Sequence, residues 1–312
     1  MTTAVREHSD TPESASSDRA RIALATCVTL PEPDPDEAPL CAALTQAGFE
    51  PVRIAWDGPE DAALRRCDLC VLRSTWNYPL AHNAFLDWLA RAEQQASVLN
   101  PPALVRWNIH KRYLADLTSA GVAVAPTVFV ERGASVNVES IYREKNWRDV
   151  VVKPAISAAS YCTRRFSRSE YDEATVFLAG VASERDAMVQ QYLPSVEHDG
   201  ERSLVWIDGE ITHAVRKAPR FADDEECVEE RSVDIAPDER ALAERVIQIA
   251  IALQPAMAQA LYARVDIMRD LSGAPVLSEL ELIEPSLYFP QSPAALERFV
   301  AAIAARLHET RR

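Results

Sequence analysis

The stretches YARVDIMRD (262–270) and APVLSELELIEP (274–285) read as two strands joined across Leu271-Ser272-Gly273, and their acidic residues decide how the rest of the chain is read. Successive side chains on a strand point to opposite faces, so Glu279 and Glu281 share a face. In an antiparallel pair Asp266 can lie on that same face. Three carboxylates together repel unless positive charge sits among them. A hard divalent cation with oxygen ligands, Mg²⁺ above all, suits such a cluster when phosphates complete its shell. Arg264 alternates with Asp266 onto the same face, where it can stabilise transferred charge. Alternation alone would also produce a solvated sheet face of arginine–carboxylate pairs, so the hairpin needs support from elsewhere in the chain.

Working outward, the chain reads as α/β. The apolar runs RIALATCV (21–28), PVRIAW (51–56), CDLCVLR (67–73) and SVLNPP (97–102) alternate with helical stretches at 40–48 and 85–96. Strands that alternate with helices imply a parallel sheet, here a first domain over 19–103. A helix is expected over 106–121, then strands at 125–130, 149–154 and 188–193 with a helix at 171–182. The runs 201–209 and 210–217 meet at Asp208-Gly209, a strong hairpin signal. Helices at 239–254 and 295–312 bracket the acidic hairpin. The expected division is a polar tail at 1–18, the N-terminal domain, and two α+β subdomains at 104–190 and 191–312.

The 312 residues carry 33 basic and 47 acidic side chains, a net charge of −14. Such a surface repels phosphate backbones, which argues against a nucleic-acid partner. No apolar run is long enough to span a membrane and the N-terminus lacks a signal-peptide h-region, so a cytoplasmic protein is expected. Glycine occurs only 8 times, against about 22 at average usage. Neither G-x-x-x-x-G-K-[ST] nor G-x-G-x-x-G is present, which excludes a P-loop and the glycine-fingerprint dinucleotide fold. The six cysteines are scattered, and Cys67-x-x-Cys70 has no partner pair for zinc.

Only four lysines occur, Lys111, Lys145, Lys153 and Lys217, among 29 arginines. Lys153 ends the apolar run DVVVKP, and a lysine at the end of a buried strand before proline reads as a phosphate hook, its compact ammonium differing from arginine's planar fork. The small residues Ser157 to Ser160 follow it, and their amides can approach phosphate oxygens closely. Lys111 stands three residues after Asn108, and Arg216-Lys217 closes the strand ITHAVRK.

Taken in order, N-x-x-K, V-V-K-P, Q-Q-Y-L, E-R-S-L, R-K, R-V-D and E-L-E resemble the ATP-grasp superfamily, in its glutathione-synthetase-like branch, over residues 20–305. The resemblance implies a nucleotide clamped between two α+β subdomains. It implies that Lys111 and Lys153 grip ATP phosphates, with Ser157 and Ser160 in the loop beside them. Gln190, Gln191, Tyr192 and Leu193 would form the adenine hinge, and Glu201, with Glu197 as a rival, would meet the ribose. Arg216, Lys217 and Arg264 would face the γ-phosphate and the acyl phosphate. Asp266, Glu279 and Glu281 would hold Mg²⁺, two ions in all, with Mn²⁺ as a substitute. Two departures stand out: the loop after Lys153 has no glycine, and Glu281 replaces the usual asparagine.

Directly after the third strand, Arg73, Ser74, Trp76, Asn77 and Tyr78 sit where parallel sheets bind ligands, and Ser286 follows the acidic hairpin. Arg73 is expected to pair with a substrate carboxylate. The acidic run 223–230 reads as a solvated loop, with a flap over the site as the alternative.

The implied activity is ATP-dependent joining of a carboxylate to a nitrogen through an acyl phosphate. RSTWNY, NPPALVRWNIHKRYL and ELELIEPSLY also resemble a bacterial subgroup that contains the O-ureido-serine cyclo-ligase of cycloserine biosynthesis. Intermolecular joining of amino acids, of dipeptide or γ-glutamyl type, is ranked first as the commoner outcome of the scaffold. Intramolecular ring closure is the alternative, and a non-catalytic nucleotide-binding regulator is the second. The expected partners are small amino-acid substrates; a homodimer is left open.

Overall fold

The computed structural model describes residues 19–59, 62–221 and 227–311. The tail reading at 1–18 and the first half of the acidic run at 223–230 lie outside the described residues.

The first 80 described positions build a parallel sheet. Its elements are β1 (Arg21–Thr26), α1 (Glu37–Gln46), β2 (Glu50–Ala55), β3 (Leu69–Ser74), α2 (His82–Ala92) and β4 (Ser97–Leu99), in strand order β2-β1-β3-β4. β3 is buried at all six positions, as a strand covered on both faces must be. Next come α3 (Pro102–Asn108) and α4 (Tyr113–Ser119).

A second, antiparallel sheet holds β5 (Thr127–Val130), α5 (Val138–Lys145), β6 (Asp149–Pro154), β7 (Arg164–Ser167), α6 (Tyr171–Glu184) and β8 (Ala187–Gln191), in order β5-β8-β6-β7. The third sheet contains β9 (Glu201–Ile207), β10 (Glu210–Lys217), α7 (Pro237–Leu253), β11 (Tyr262–Arg269) and β12 (Pro275–Glu281), in order β10-β9-β11-β12, and α8 (Pro293–Thr310) ends the described chain. The β9–β10 turn takes Asp208 at φ 45° and Gly209 at φ 90°, the left-handed pair that a two-residue hairpin needs.

The single helix expected over 106–121 is two helices. At the break, the Asn108 side chain donates to Leu280 O (2.8 Å) and accepts from Leu282 N (3.1 Å), and Lys111 N donates to Ala155 O (2.8 Å). The Lys111 amide bond takes the place of a helical one, the Asn108 side chain ties the break to the segment around Leu280 and Leu282, and Lys111 Nζ reaches Glu279 of the acidic hairpin. Both helices pack with the third sheet: Leu104, Leu114 and Leu117 share a core with Leu204, Val265 and Leu280. The second hairpin strand stops at Glu281 rather than Pro285. β7 and α5 were not expected, because β7 (RRFS) buries only Phe166 and α5 is short.

Buried polar groups lock the N-terminal sheet to the hairpin. The Tyr262 hydroxyl lies 2.7 Å from both Leu72 O and Ile283 O. Asn100, at φ 62°, accepts from Leu261 N (2.7 Å) and donates to Leu282 O (2.7 Å). Loss of such a hub strands several buried groups at once, which costs about 1–3 kcal/mol for each.

Candidate active site

The acidic hairpin sets the floor of a cleft between the three sheets. Register pairs Arg264 with Glu281 and Asp266 with Glu279, and a bulge follows Asp266. Across the sheet Asp266 also faces Ser203, and Lys217 faces Glu201. A single sheet face therefore carries a row of charges spanning four strands.

Each of these carboxylates is met by cations. Lys111 Nζ and Lys153 Nζ reach the two oxygens of Glu279 at 2.8 and 2.6 Å. Arg264 grips Asp266 with two nitrogens at 2.9 Å and also reaches Glu281. Lys217 bridges Glu201 (2.9 Å) and Asp266 (3.1 Å), and Ser203 Oγ donates to Asp266 at 2.6 Å.

The electrostatics follow from this pairing. Burial alone would raise the Glu279 pKa, but Lys111 and Lys153 outweigh it and hold the group far below the usual range. Burial is likewise overcome at Asp266, where Arg264 and Lys217 pull the carboxyl down to about 2. At Glu281 burial wins over Arg264, with Asp266 adding repulsion, and the pKa rises to about 7. Glu284, buried beside Glu281, rises to about 8.

The cleft brings together Lys111, Lys153, Ser157, Ser160, Gln190, Gln191, Tyr192, Leu193, Glu201, Lys217, Arg264, Asp266, Glu279, Glu281, Trp76, Tyr78 and Ser286. The amides of Gln191 and Tyr192 are already used by Pro126 O and Asp149 O at 2.8 and 3.0 Å. In the loop after Lys153, Ala159, Ser160 and Cys162 all adopt positive φ (48°, 55° and 50°), so the backbone takes the left-handed form without glycine. Left-handed residues turn successive amides toward one side, the arrangement that cradles anions.

Five expected residues lie elsewhere. Arg73 is buried in an ion pair with Asp36 (3.1 Å) and donates to Pro285 O (3.2 Å), so its guanidinium is spent on holding the segment after β12 rather than on a substrate. Asp36 accepts in turn from the amides of Leu287, Tyr288 and Phe289. Ser74 bonds Thr26, and Asn77 bonds Trp56 Nε1 and Asp57. Arg216 points away from the cleft, to the carbonyls of His198 and Asp199, because strand alternation gives the cleft face to Lys217. Glu197 is tied to Arg165 (2.8 Å) and to the Tyr192 hydroxyl (2.9 Å), which leaves Glu201 as the acid at the cleft.

The sequence reading passed over Glu284, which lines the cleft but breaks the two-residue period of Glu279 and Glu281. It also missed Glu32, from the Pro-rich acidic loop, which pairs with both terminal nitrogens of Arg220 at 3.1 and 2.9 Å.

A divalent cation fits this donor set on one condition. Among the described residues no group of three or more His, Cys, Asp or Glu side chains converges as a ready metal cage. Asp266 and Glu279 nevertheless face each other in register, and all the donors are oxygen. Mg²⁺ is commonly held by one or two carboxylates with phosphate oxygens completing the shell, so a phosphate-bearing partner is needed.

A parallel-sheet domain and two antiparallel α+β subdomains around a cleft of paired lysines and carboxylates define an ATP-grasp protein. A family model described as the prokaryotic glutathione synthetase ATP-grasp domain matches residues 120–285, and one described as the N-terminal domain of D-cycloserine synthetase DcsG matches 22–100. The chain belongs to the ATP-grasp superfamily, glutathione-synthetase-like, and is a ligase of the class that forms a C–N bond; the family uses ATP and Mg²⁺. It is similar to the cycloserine biosynthesis protein DcsG of Streptomyces lavendulae, with 32% identity over 297 residues, 92% of this chain and 98% of that one. The crystal structure of D-cycloserine synthetase DcsG superposes with a TM-score of 0.85 at 30% identity, covering 92% of this chain and all of the other. D-alanyl-alanine synthetase A from Vibrio cholerae shares the fold, with a TM-score of 0.66 at 12% identity over 94% of this chain and 98% of that one. Among the described residues no helix is long and apolar enough to cross a membrane.

Proposed function

We propose that the protein closes O-ureido-D-serine onto itself, using ATP to activate the substrate carboxylate. The observation that carries this reading is the match of residues 22–100 to the N-terminal domain of D-cycloserine synthetase, alongside 32% identity to DcsG over nearly the whole chain. Trp76 and Tyr78 of that stretch wall the cleft, so the part that matches is also a part that can select the substrate. Intermolecular joining of two amino acids, ranked first on sequence alone, falls behind ring closure on that match.

The chemistry needs no nucleophilic side chain. A carboxylate resists attack because its carbonyl carbon is electron-rich and its oxygen leaves poorly. In the proposed sequence a carboxylate oxygen attacks the γ-phosphorus of ATP and ADP leaves. The oxygen-bound nitrogen of the same molecule then attacks the acyl carbon, loses its proton, and phosphate departs. Holding both groups in one molecule supplies an effective concentration of up to about 10⁵–10⁸ M.

Lys111 and Lys153 would release Glu279 to take up phosphate oxygens, while Asp266, Glu279 and Glu281 turn to the divalent cation. Each ion pair is exchanged for another, so no charge is left unmatched. Mg²⁺ bound there would neutralise phosphate oxygens. Lys217 and Arg264 steady the charge that develops on the transferring group. Gln190 to Leu193 would seat the adenine and Glu201 the ribose.

The test is ADP release with Mg-ATP and O-ureido-D-serine alone, with mass spectrometry of the product. ADP with one substrate and a product lighter than that substrate supports ring closure. ADP that requires two amino acids, with a dipeptide mass, would restore the intermolecular reading.

A further inference from the structure

We propose that Glu284, backed by Tyr78 and Trp76, is the seat for the α-ammonium group of the substrate. The inference rests on reading the cleft as an amino-acid ligase site.

Among the described residues, six carboxylates and five lysine or arginine side chains line the cleft. Five of the six carboxylates are held in ion pairs at 2.5–3.1 Å. Glu284 has no such pair among the described residues, although it is only 8% exposed. Its carboxylate is supported by the Tyr78 hydroxyl, a neutral partner. The cation that acts on it most strongly, Lys111, is committed to Glu279 and to Ser157 O (3.2 Å).

Glu284 is also firmly placed. Trp76 Nε1 donates to Glu284 O at 2.9 Å, which binds the segment after β12 to the loop after β3. The Arg73–Asp36 pair holds the residues just beyond it. This leaves a rigid acid on the cleft wall where the N-terminal sheet meets the hairpin. Ionising a buried carboxyl without a cation is costly, and burial beside Glu281 pushes its pKa up to about 8, so Glu284 keeps its proton near neutral pH unless a counter-charge arrives. A primary ammonium donates up to three hydrogen bonds and supplies that counter-charge, which lets the carboxyl ionise against it. A neutral or anionic group would not.

The experiment compares O-ureido-D-serine with its deamino analogue, which bears hydrogen in place of the ammonium, on the wild type and on Glu284→Gln. Calorimetric binding of Mg-ATP serves as the folding control. The wild type is expected to favour the amine by about 10- to 100-fold in kcat/KM, the worth of one hydrogen bond to a charged group. In Glu284→Gln this preference is expected to collapse through KM while Mg-ATP binding persists. Preference retained in the variant overturns the inference. So does a fall in kcat at unchanged KM, which would move Glu284 to proton transfer. If the variant fails to bind Mg-ATP, the wild type decides alone, and equal use of the two compounds overturns the assignment. A wild type that ignores O-ureido-D-serine but turns over another amino acid overturns only the ring-closing reading, and the same comparison is then made with that amino acid and its deamino form.

Discussion

The two ends of the cleft differ in how their charge is settled. At the hairpin end, Glu279 holds two lysines and Asp266 holds an arginine and a lysine. At the end next to the N-terminal sheet, Glu284 has a tyrosine and, among the described residues, no ion-paired cation. The first arrangement suits a ligand that brings both signs, polyphosphate with its metal, because the pairs can exchange. The second suits a single positively charged group, such as the ammonium of an amino acid. One fold can thus keep two substrates apart by charge balance, without any glycine-rich phosphate motif.

The largest effect is expected from breaking the paired end. Glu279→Ala leaves Lys111 and Lys153 buried without a counter-charge, and denaturant unfolding should show a loss of about 3–5 kcal/mol together with lost turnover. A smaller change at the same end, Lys153→Ala, should lower kcat for ADP release by about 10²–10³-fold, the worth of one positioned charge on the transferring group.

A pH test concerns the wall behind the cleft rather than its charges. His213 is buried, which holds its imidazole neutral and pushes its pKa down to about 4. The unfolded chain binds this proton near pH 6.5, so stability is complete above that pH and is lost as pH falls toward 4. The loss amounts to about 3 kcal/mol and should vanish in His213→Gln, measured by denaturation across that range. Sharpening the phosphate side gives the smallest effect. Ala159 sits at φ 48°, so Ala159→Gly should relieve strain and raise stability by about 1 kcal/mol, less whatever entropy glycine adds to the unfolded loop.

The hairpin was legible because strand alternation puts Arg264 with Asp266 and Glu279 with Glu281, and the register then brings both pairs to one face. Lys153 was legible as a polar end to an apolar strand. Arg73 was misjudged for a physical reason: β3 is buried on both faces, so the sequence cannot say whether its final polar residue meets a ligand or a buried partner such as Asp36. Arg216 and Lys217 could have been separated by alternation, since adjacent strand residues cannot both face the cleft. The helix break at 109–112 depends on bonds to Ala155, Leu280 and Leu282, far along the chain, and leaves no local signature. Glu284 escaped because it lies past the end of β12, where the two-residue period no longer applies.

The central claim is that this cleft activates a carboxylate by phosphoryl transfer. It is tested most directly by turning over O-ureido-D-serine labelled with ¹⁸O in its carboxylate and weighing the phosphate released. The account expects one ¹⁸O per phosphate, carried over from the acyl phosphate. Phosphate without label, formed together with product, would contradict it.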